Sequence, residues 1–374
     1  MKFITLKENL KQGLSIVAHL TSKNINLPIL NNILIRAKKE GIELIATNLE
    51  ISVNHFLRGK IESEGEITVD SKIINEYISL LPEDKIEIEM EKDELKISCQ
   101  NYKTKIKTQE ASDFPVLPKT TEENCYELNL NEFRDSLLEV SFAVSYNENR
   151  PELSGVLFSF QNDLLTLVGT DSYRLSEKII KFKSNNIIDE KKIIVPLKTV
   201  QELTRVLGNF KSEDQISDSQ NIKICLTENQ IFFSFGSTNL VSRIIIGNYP
   251  DYKQIIPKNE KTKIEINKSV FVKAIKAAGI FSKTGINDIS IAFKKGEITI
   301  SSSSSQTGEN KVSLEADVFG EEDEIFINFK YLLDGLNNIK SEQIILKIID
   351  NNYPCIIIPR EINNFLYLVM PIKQ

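Results

Sequence analysis

Side chains that commonly carry chemistry are sparse in this sequence. Its two histidines, His19 and His55, stand in an amphipathic segment and in the strand-like VNHFL, and each reads as a structural or surface residue. There is no HExxH, no GxxxxGK[ST] loop, no GxSxG elbow and no GxGxxG. The four cysteines, Cys99, Cys125, Cys225 and Cys355, are far apart and form no CxxC pair. They read as reduced, mostly buried thiols rather than a disulfide framework or a zinc site. The acidic runs EIEMEKDE and GEEDE read as solvated strand edges and loops, and Ser301 to Ser305 as a polar strand or its loop. Nothing converges as an active site would require, so the expectation is a non-enzyme with no metal and no cofactor.

The elements around these residues say more. The chain of 374 residues exceeds what one core usually organises, and 41% apolar with 26% charged residues is ordinary for a globular protein. No run of apolar residues is long enough for a membrane span, and MKFITLKENLKQG lacks the apolar core of a signal peptide, so a cytoplasmic protein without membrane contact is expected. The formal charge of −6 argues against gripping nucleic acid by bulk electrostatics.

Three copies of one unit account for the length. FITLKENLKQGLSIVAHL (3–20), YELNLNEFRDSLLEVSFAV (126–144) and IEINKSVFVKAIKAAGIF (264–281) each read as a strand followed by a helix. Leu10, Leu14 and Val17 match Phe133, Leu137 and Val140, then Phe271, Ile275 and Ala278, at helical spacing on one face. Hairpin-like pairs follow, such as ILIRAKKEGIELIAT, and a second helix comes later in each copy, at 71–82, 197–208 and 329–340. Further alternating strands close each copy, ending at Phe114-Pro115, Tyr249-Pro250 and Met370-Pro371. The pattern predicts an α+β fold of three domains, 1–122, 123–256 and 257–374, each with two helices and antiparallel sheets.

LPIL (27–30), DFPVLP (113–118), GTDSYRL (169–175), NYPDYKQIIPK (248–258) and the closing LVMPIKQ (368–374) stand in order across all three copies. With them the chain resembles the bacterial β sliding clamps of DNA polymerase III from end to end. The resemblance implies a head-to-tail homodimer closed into a ring around duplex DNA, with twelve helices lining the hole and sheets outside. Enclosure lets an acidic protein hold DNA without reading bases. It also implies partners, namely DNA polymerase, clamp loader and repair proteins, bound through short linear motifs. A non-ring peptide-binding scaffold or regulator built from the same repeats is the alternative.

Carried over residue by residue, the partner groove comprises Leu153, Thr170, Ser172, Tyr173, Arg174, Leu175, Pro250, Gln254 and Ile255, with Leu368, Val369, Met370, Pro371 and Ile372 of the tail. A partner Leu and Phe would bury against Leu175, Ile255, Val369 and Met370, each worth roughly 1.5–3 kcal/mol, and Arg174 would hold a carbonyl or carboxylate. After ordering costs the expected affinity is micromolar, about −8 kcal/mol. DNA-facing candidates are Lys23, Asn24, Lys72, Arg150, Lys198, Arg205, Lys268, Lys273 and Lys276, with Lys7 and Lys340 on the same helices. Asn24 and Ser71 stand where the family carries basic residues, and Gln254 replaces another. The dimer contact is expected to bring Ile280 and Phe281 against Ile106 of the other chain.

Overall fold

The computed structural model describes residues 1–21, 26–118, 124–146, 149–183, 190–209 and 220–373. The first copy runs β1 (Lys2–Leu6), α1 (Lys7–Val17), β2 (Asn32–Lys38), β3 (Gly41–Thr47), β4 (Ile51–Leu57), β5 (Lys60–Ser63), β6 (Gly65–Asp70), α2 (Ser71–Leu80), β7 (Lys85–Glu91), β8 (Glu94–Cys99) and β9 (Tyr102–Gln109). The second runs β10 (Cys125–Asn129), α3 (Leu130–Ser141), β11 (Gly155–Gln161), β12 (Leu164–Thr170), β13 (Arg174–Lys181), β14 (Lys191–Pro196), α4 (Leu197–Gly208), β15 (Asn221–Leu226), β16 (Gln230–Phe235) and β17 (Thr238–Arg243). The third runs β18 (Thr262–Asn267), α5 (Lys268–Gly279), β19 (Asp288–Lys294), β20 (Glu297–Ser304), β21 (Gly308–Glu315), β22 (Asp317–Gly320), β23 (Asp323–Asn328), α6 (Phe329–Asn338), β24 (Gln343–Ile348), β25 (Cys355–Pro359) and β26 (Phe365–Val369).

Each helix follows directly on a strand, and the residue at the join explains how the chain turns. Asp70, Asn267 and Asn328 accept hydrogen bonds from the first free amides of α2, α5 and α6, at Ile73 (2.9 Å), Val270 (3.2 Å) and Lys330 (3.0 Å). The helical faces read from the sequence are the buried ones: Leu10, Leu14, Val17, Phe133, Leu137, Val140, Phe271, Ile275 and Ala278 are all 0% exposed. Ser301 to Ser304 lie in β20, as a polar strand.

The strand order gives the architecture. One sheet runs β10-β15-β16-β17-β4-β3-β2-β6-β9-β8-β7-β1-β5, a second β14-β11-β12-β13-β26-β25-β24-β18-β22, and a third β21-β20-β19-β23. Ladders therefore cross from copy to copy. β4 pairs with β17, with Ile51 opposite Ser242, and β13 pairs with β26, with Arg174 opposite Val369. By contacts the chain forms two compact units, Met1–Asn131 with Lys183–Asn186 and Arg205–Ile244, and Glu132–Phe182 with Ile187–Thr204 and Ile245–Gln374. Each unit keeps its own sheets, and the middle copy contributes strands to both.

One pairing corrects the sequence reading. Cys125 and Cys225 stand directly opposite each other on β10 and β15 and are joined by a disulfide, although a hundred residues separate them. Spacing along the chain could not reveal a cross-strand neighbour. Cys99 and Cys355 are free and buried, as read, and burial pushes the Cys355 thiol up to about 12.

Candidate functional site

The GTDSYRL segment is first of all a turn. Thr170 Oγ1 accepts from the Ser172 amide (3.2 Å) and donates to the Arg174 carbonyl (2.6 Å), while Asp171 Oδ1 accepts from the amides of Tyr173 (2.9 Å) and Arg174 (3.0 Å). Ser172 sits at φ 80°, in the left-handed region. The first copy builds the same turn from other letters. Thr47 donates to the Ile51 carbonyl (3.0 Å), Asn48 accepts from the amides of Glu50 and Ile51, and Leu49 sits at φ 75°. Gly169 has a separate cause: a Cβ there would come within 2.3 Å of the Val140 carbonyl of α3.

Beyond this turn the strand alternation sorts the residues expected to form one groove. Leu175 and Leu368 share a face with Leu157, Val168 and Tyr252, and Tyr249, Ile256, Leu366 and Met370 pack around them. The segment 248–256 beside this cluster exposes Pro250, Gln254 and Ile255, the last 47% exposed. The tail is held by two backbone bonds, Met370 N to Tyr173 O (2.8 Å) and Ile372 N to Phe326 O (2.7 Å), which flank Pro371. Tyr173 is 62% exposed and stacks on Tyr331. Leu153 is buried in the short turn after Arg150, and Thr170 is nearly so.

Arg174 and Val369 stand on the opposite face, which corrects their expected roles. Val369 belongs to the core with Tyr367 and Leu336. The Arg174 guanidinium donates to Asp171 (2.9 Å) and Asp334 (2.5 Å) and lies 4.6 Å over the Tyr331 ring. Burial works against its charge, but the Asp334 hydrogen bond and the Asp171 field outweigh it and leave its pKa raised. The residues that sequence reasoning missed are Tyr249, Tyr252 and Glu177. Tyr249 Oη donates to Val168 O (3.2 Å) and Tyr252 Oη to Glu177 Oε2 (2.5 Å). Their available signal was a pair of tyrosines flanking Pro250 in the crossing segment.

The equivalent place in the first copy differs at one position: Ser52 replaces Leu175 opposite Val241, and its hydroxyl lies 2.7 Å from Thr47 Oγ1, beside an apolar cluster of Leu34, Ile45 and Phe114.

The basic candidates divide. Lys72, Lys198, Lys273 and Lys276 are exposed on their helices, Lys72 within 3.9 Å of Glu76. Arg205 instead donates to the carbonyls of Ser15 (3.1 Å) and Ile16 (2.6 Å) at the C-terminal end of α1, and Lys268 to Ile339 O after α6. Both satisfy helix-end carbonyls, so their charge is used inside the fold. Arg150 donates to Ser172 Oγ (3.0 Å) and Glu152, which places it beside the groove turn. Lys7 is buried against Glu83, and Lys340 pairs with Asp135 (2.5 Å). Lys23 and Asn24 lie outside the described residues. Ile280 is 71% exposed, the Phe281 ring lies beside Gly308 at the start of β21, and Ile106 is only 6% exposed within its own copy.

Fold and site together define a protein of tandem α+β repeats, joined sheet edge to sheet edge, with an apolar cluster around Leu175 and Leu368 between β13 and β26. Among the described residues no three His, Cys, Asp or Glu side chains could hold a metal ion. Family models for the DNA polymerase III beta subunit match in sequence, the N-terminal domain over residues 1–118, the central domain over 127–251 and the C-terminal domain over 253–373. The chain belongs to this family, the beta sliding clamps. It is 28% identical over 377 residues to the beta sliding clamp of Chlamydia muridarum, covering 100% of this chain and 99% of that one. The DNA polymerase III subunit beta from Pseudomonas aeruginosa superposes with a TM-score of 0.93 at 25% identity, covering 100% of both chains. The sliding clamp from Bacillus subtilis gives 0.92 at 27% identity, covering 100% of this chain and 99% of that one.

Proposed function

We infer that two copies of this chain close head to tail around duplex DNA and tether the replicative polymerase, acting as a processivity factor with no catalytic activity of its own. The observation that carries this is the recurrence of one sheet junction. The first half of the first copy ends at β4, which pairs with β17; the first half of the second ends at β13, which pairs with β26. The corresponding strand of the third copy is β21, and the strand corresponding to β17 and β26 in the first copy is β9. Among the described residues of one chain β21 pairs only with β20, and β9 only with β8 apart from two residues at its end. A second copy supplies what each edge lacks, and a heterologous contact of this kind closes once the rotation is complete. Aligning the three junctions sets Gly308 opposite Ile106 of the other copy, with Phe281 and exposed Ile280 alongside. Since Ile106 is already buried, backbone pairing contributes more there than its side chain.

Enclosure also accommodates the formal charge of −6. Lys72, Lys198, Lys273 and Lys276 are the candidates for loose, sequence-independent phosphate contacts. The groove over Leu175, Leu368 and Met370, walled by Pro250, Gln254, Ile255, Pro371 and Ile372, is the docking place for short motifs of the polymerase, clamp loader and repair proteins. Met370 is suited to varied ligands because its side chain is flexible and polarisable. We place the three domains at 1–122, 123–256 and 257–374, and the protein in the cytoplasm. No helix among the described residues is long and apolar enough to cross a membrane.

The test is topological. The protein is loaded on nicked circular DNA by its cognate clamp loader, and the circle is then linearised. Retention on the circle with loss on linearisation is expected. Equal retention on both forms would mean direct binding and overturn enclosure.

A further inference from the structure

We propose that the hydroxyls of Tyr249 and Tyr252 are positioning groups for the groove, pinning the segment 248–256 to the sheet beneath it. The wall carrying Pro250, Gln254 and Ile255 is thereby held ready for a partner's apolar side chains. This rests on the groove assignment above.

The segment crosses the sheet face with little regular structure of its own, a single short turn at Tyr252–Ile255. Its attachment is by side chains. Tyr252 is 8% exposed, packs on Leu175 and Leu368, and ends its hydroxyl on the Glu177 carboxylate at 2.5 Å. Tyr249 reaches the Val168 carbonyl on β12 at 3.2 Å. Burial raises the pKa of both phenols, so both remain protonated donors. A donor lost here frees the wall to sample other positions, and a partner peptide then has to order it.

The same chain contains a comparison. In the first copy the matching segment runs through Phe114, Pro115 and Leu117, so both hydroxyls are absent. Phe114 packs on Leu34 and Ile45, the counterparts of Leu157 and Val168, with Leu117 beside them. The counterpart of Glu177 is Asn54, whose Oδ1 is buried without a hydrogen-bond partner, and Val116 stands 97% exposed. Packing alone thus suffices to lay the segment across a sheet. The two hydroxyl pins occur where the floor carries Leu175, and not where it carries Ser52.

The experiment uses the full-length protein and a fluorescein-labelled peptide ending in Leu-Phe, read by fluorescence anisotropy and calorimetry. Tyr252→Phe is expected to weaken binding about tenfold, as for loss of a hydrogen bond to a charged group, and Tyr249→Phe with it to weaken binding further. The loss should appear in the binding entropy, with melting temperature and dimer mass close to wild type. Glu177→Gln, which keeps an acceptor oxygen, should recover much of what Glu177→Val loses. Tyr252→Phe binding within twofold of wild type, while Ile255→Glu abolishes binding, would overturn the pins and leave the groove standing. A wild type that fails to bind, or binds no better than Ile255→Glu, would overturn the groove and the pins together.

Discussion

His55 shows how one residue couples protonation to the fold. It lies in β4 opposite Thr238 of β17, its Nδ1 2.9 Å from Thr238 Oγ1, and burial lowers its pKa to about 4. The folded protein therefore favours the neutral ring, whereas the unfolded chain takes up a proton near the ordinary value of 6.5. Stability from this site is complete above pH 6.5 and declines as the pH falls toward 4, by up to about 3 kcal/mol. Denaturant midpoints measured between pH 7 and pH 4 should fall more steeply for wild type than for His55→Gln. Parallel curves would remove His55 as the cause. At this scale the sequence was partly legible. Leu175, Leu368 and Met370 were named from motifs and pack in one cluster, whereas Ile255 stands exposed beside it. Arg174 and Val369 lie on the face away from Leu175, since neighbouring letters of a strand point to opposite faces and a motif does not state which face is covered. Arg205 and Lys268 looked free until the ends of neighbouring helices came into view.

Among the elements, the β10–β15 ladder carries the feature least visible beforehand. The Cys125–Cys225 bond closes a loop of a hundred residues containing β11 to β14 and both helices of the middle copy. Disulfides typically stabilise by about 2–4 kcal/mol, and more for long loops, mainly by restricting the unfolded chain. Protein denatured without reductant should titrate two thiols, Cys99 and Cys355, and four after reduction; four at the outset would show the pair to be reduced in solution. A reducing compartment favours the dithiol, and β10 is then held by its backbone ladder and its buried Tyr126 and Leu128. Helices were the most legible elements, because their apolar faces repeat in register three times. The turns at Thr47–Ile51 and Thr170–Arg174 were legible only in the second case. Asn48 and Leu49 replace Asp171 and Ser172 with different side chains, so equivalence of shape left little trace in the letters.

For the whole molecule, the decisive strands are the unpaired edges, and these follow from strand order rather than from any motif. The third copy has two edges in its four-stranded sheet, β21 and β23. Along β23, the Phe326 amide donates to Asn351 Oδ1 (3.1 Å) and Ile372 N donates to the Phe326 carbonyl, so that edge is occupied. Among the described residues β21 has no strand beyond it, and the proposed ring sets a second copy there. The junction alignment sets Asn310 opposite Thr104 of the partner copy, within the distance that a disulfide bridges. The double variant Thr104→Cys with Asn310→Cys should give a covalent dimer under mild oxidation. A dimer by sedimentation that forms no such cross-link would exclude this register. Three copies were countable from the sequence, whereas the fusion of their sheets was not, because ladder partners lie up to two hundred residues apart, as Arg174 and Val369 do.

Ser52 sets a capacity. With a hydroxyl where its counterpart is Leu175, the first copy lacks the residue on which the proposed docking place is centred, so under that proposal a closed pair of chains hosts two occupants at once. One occupant can then stay in residence while the other departs and is replaced. A crowd of partners must queue for a vacancy rather than spread along the sheet.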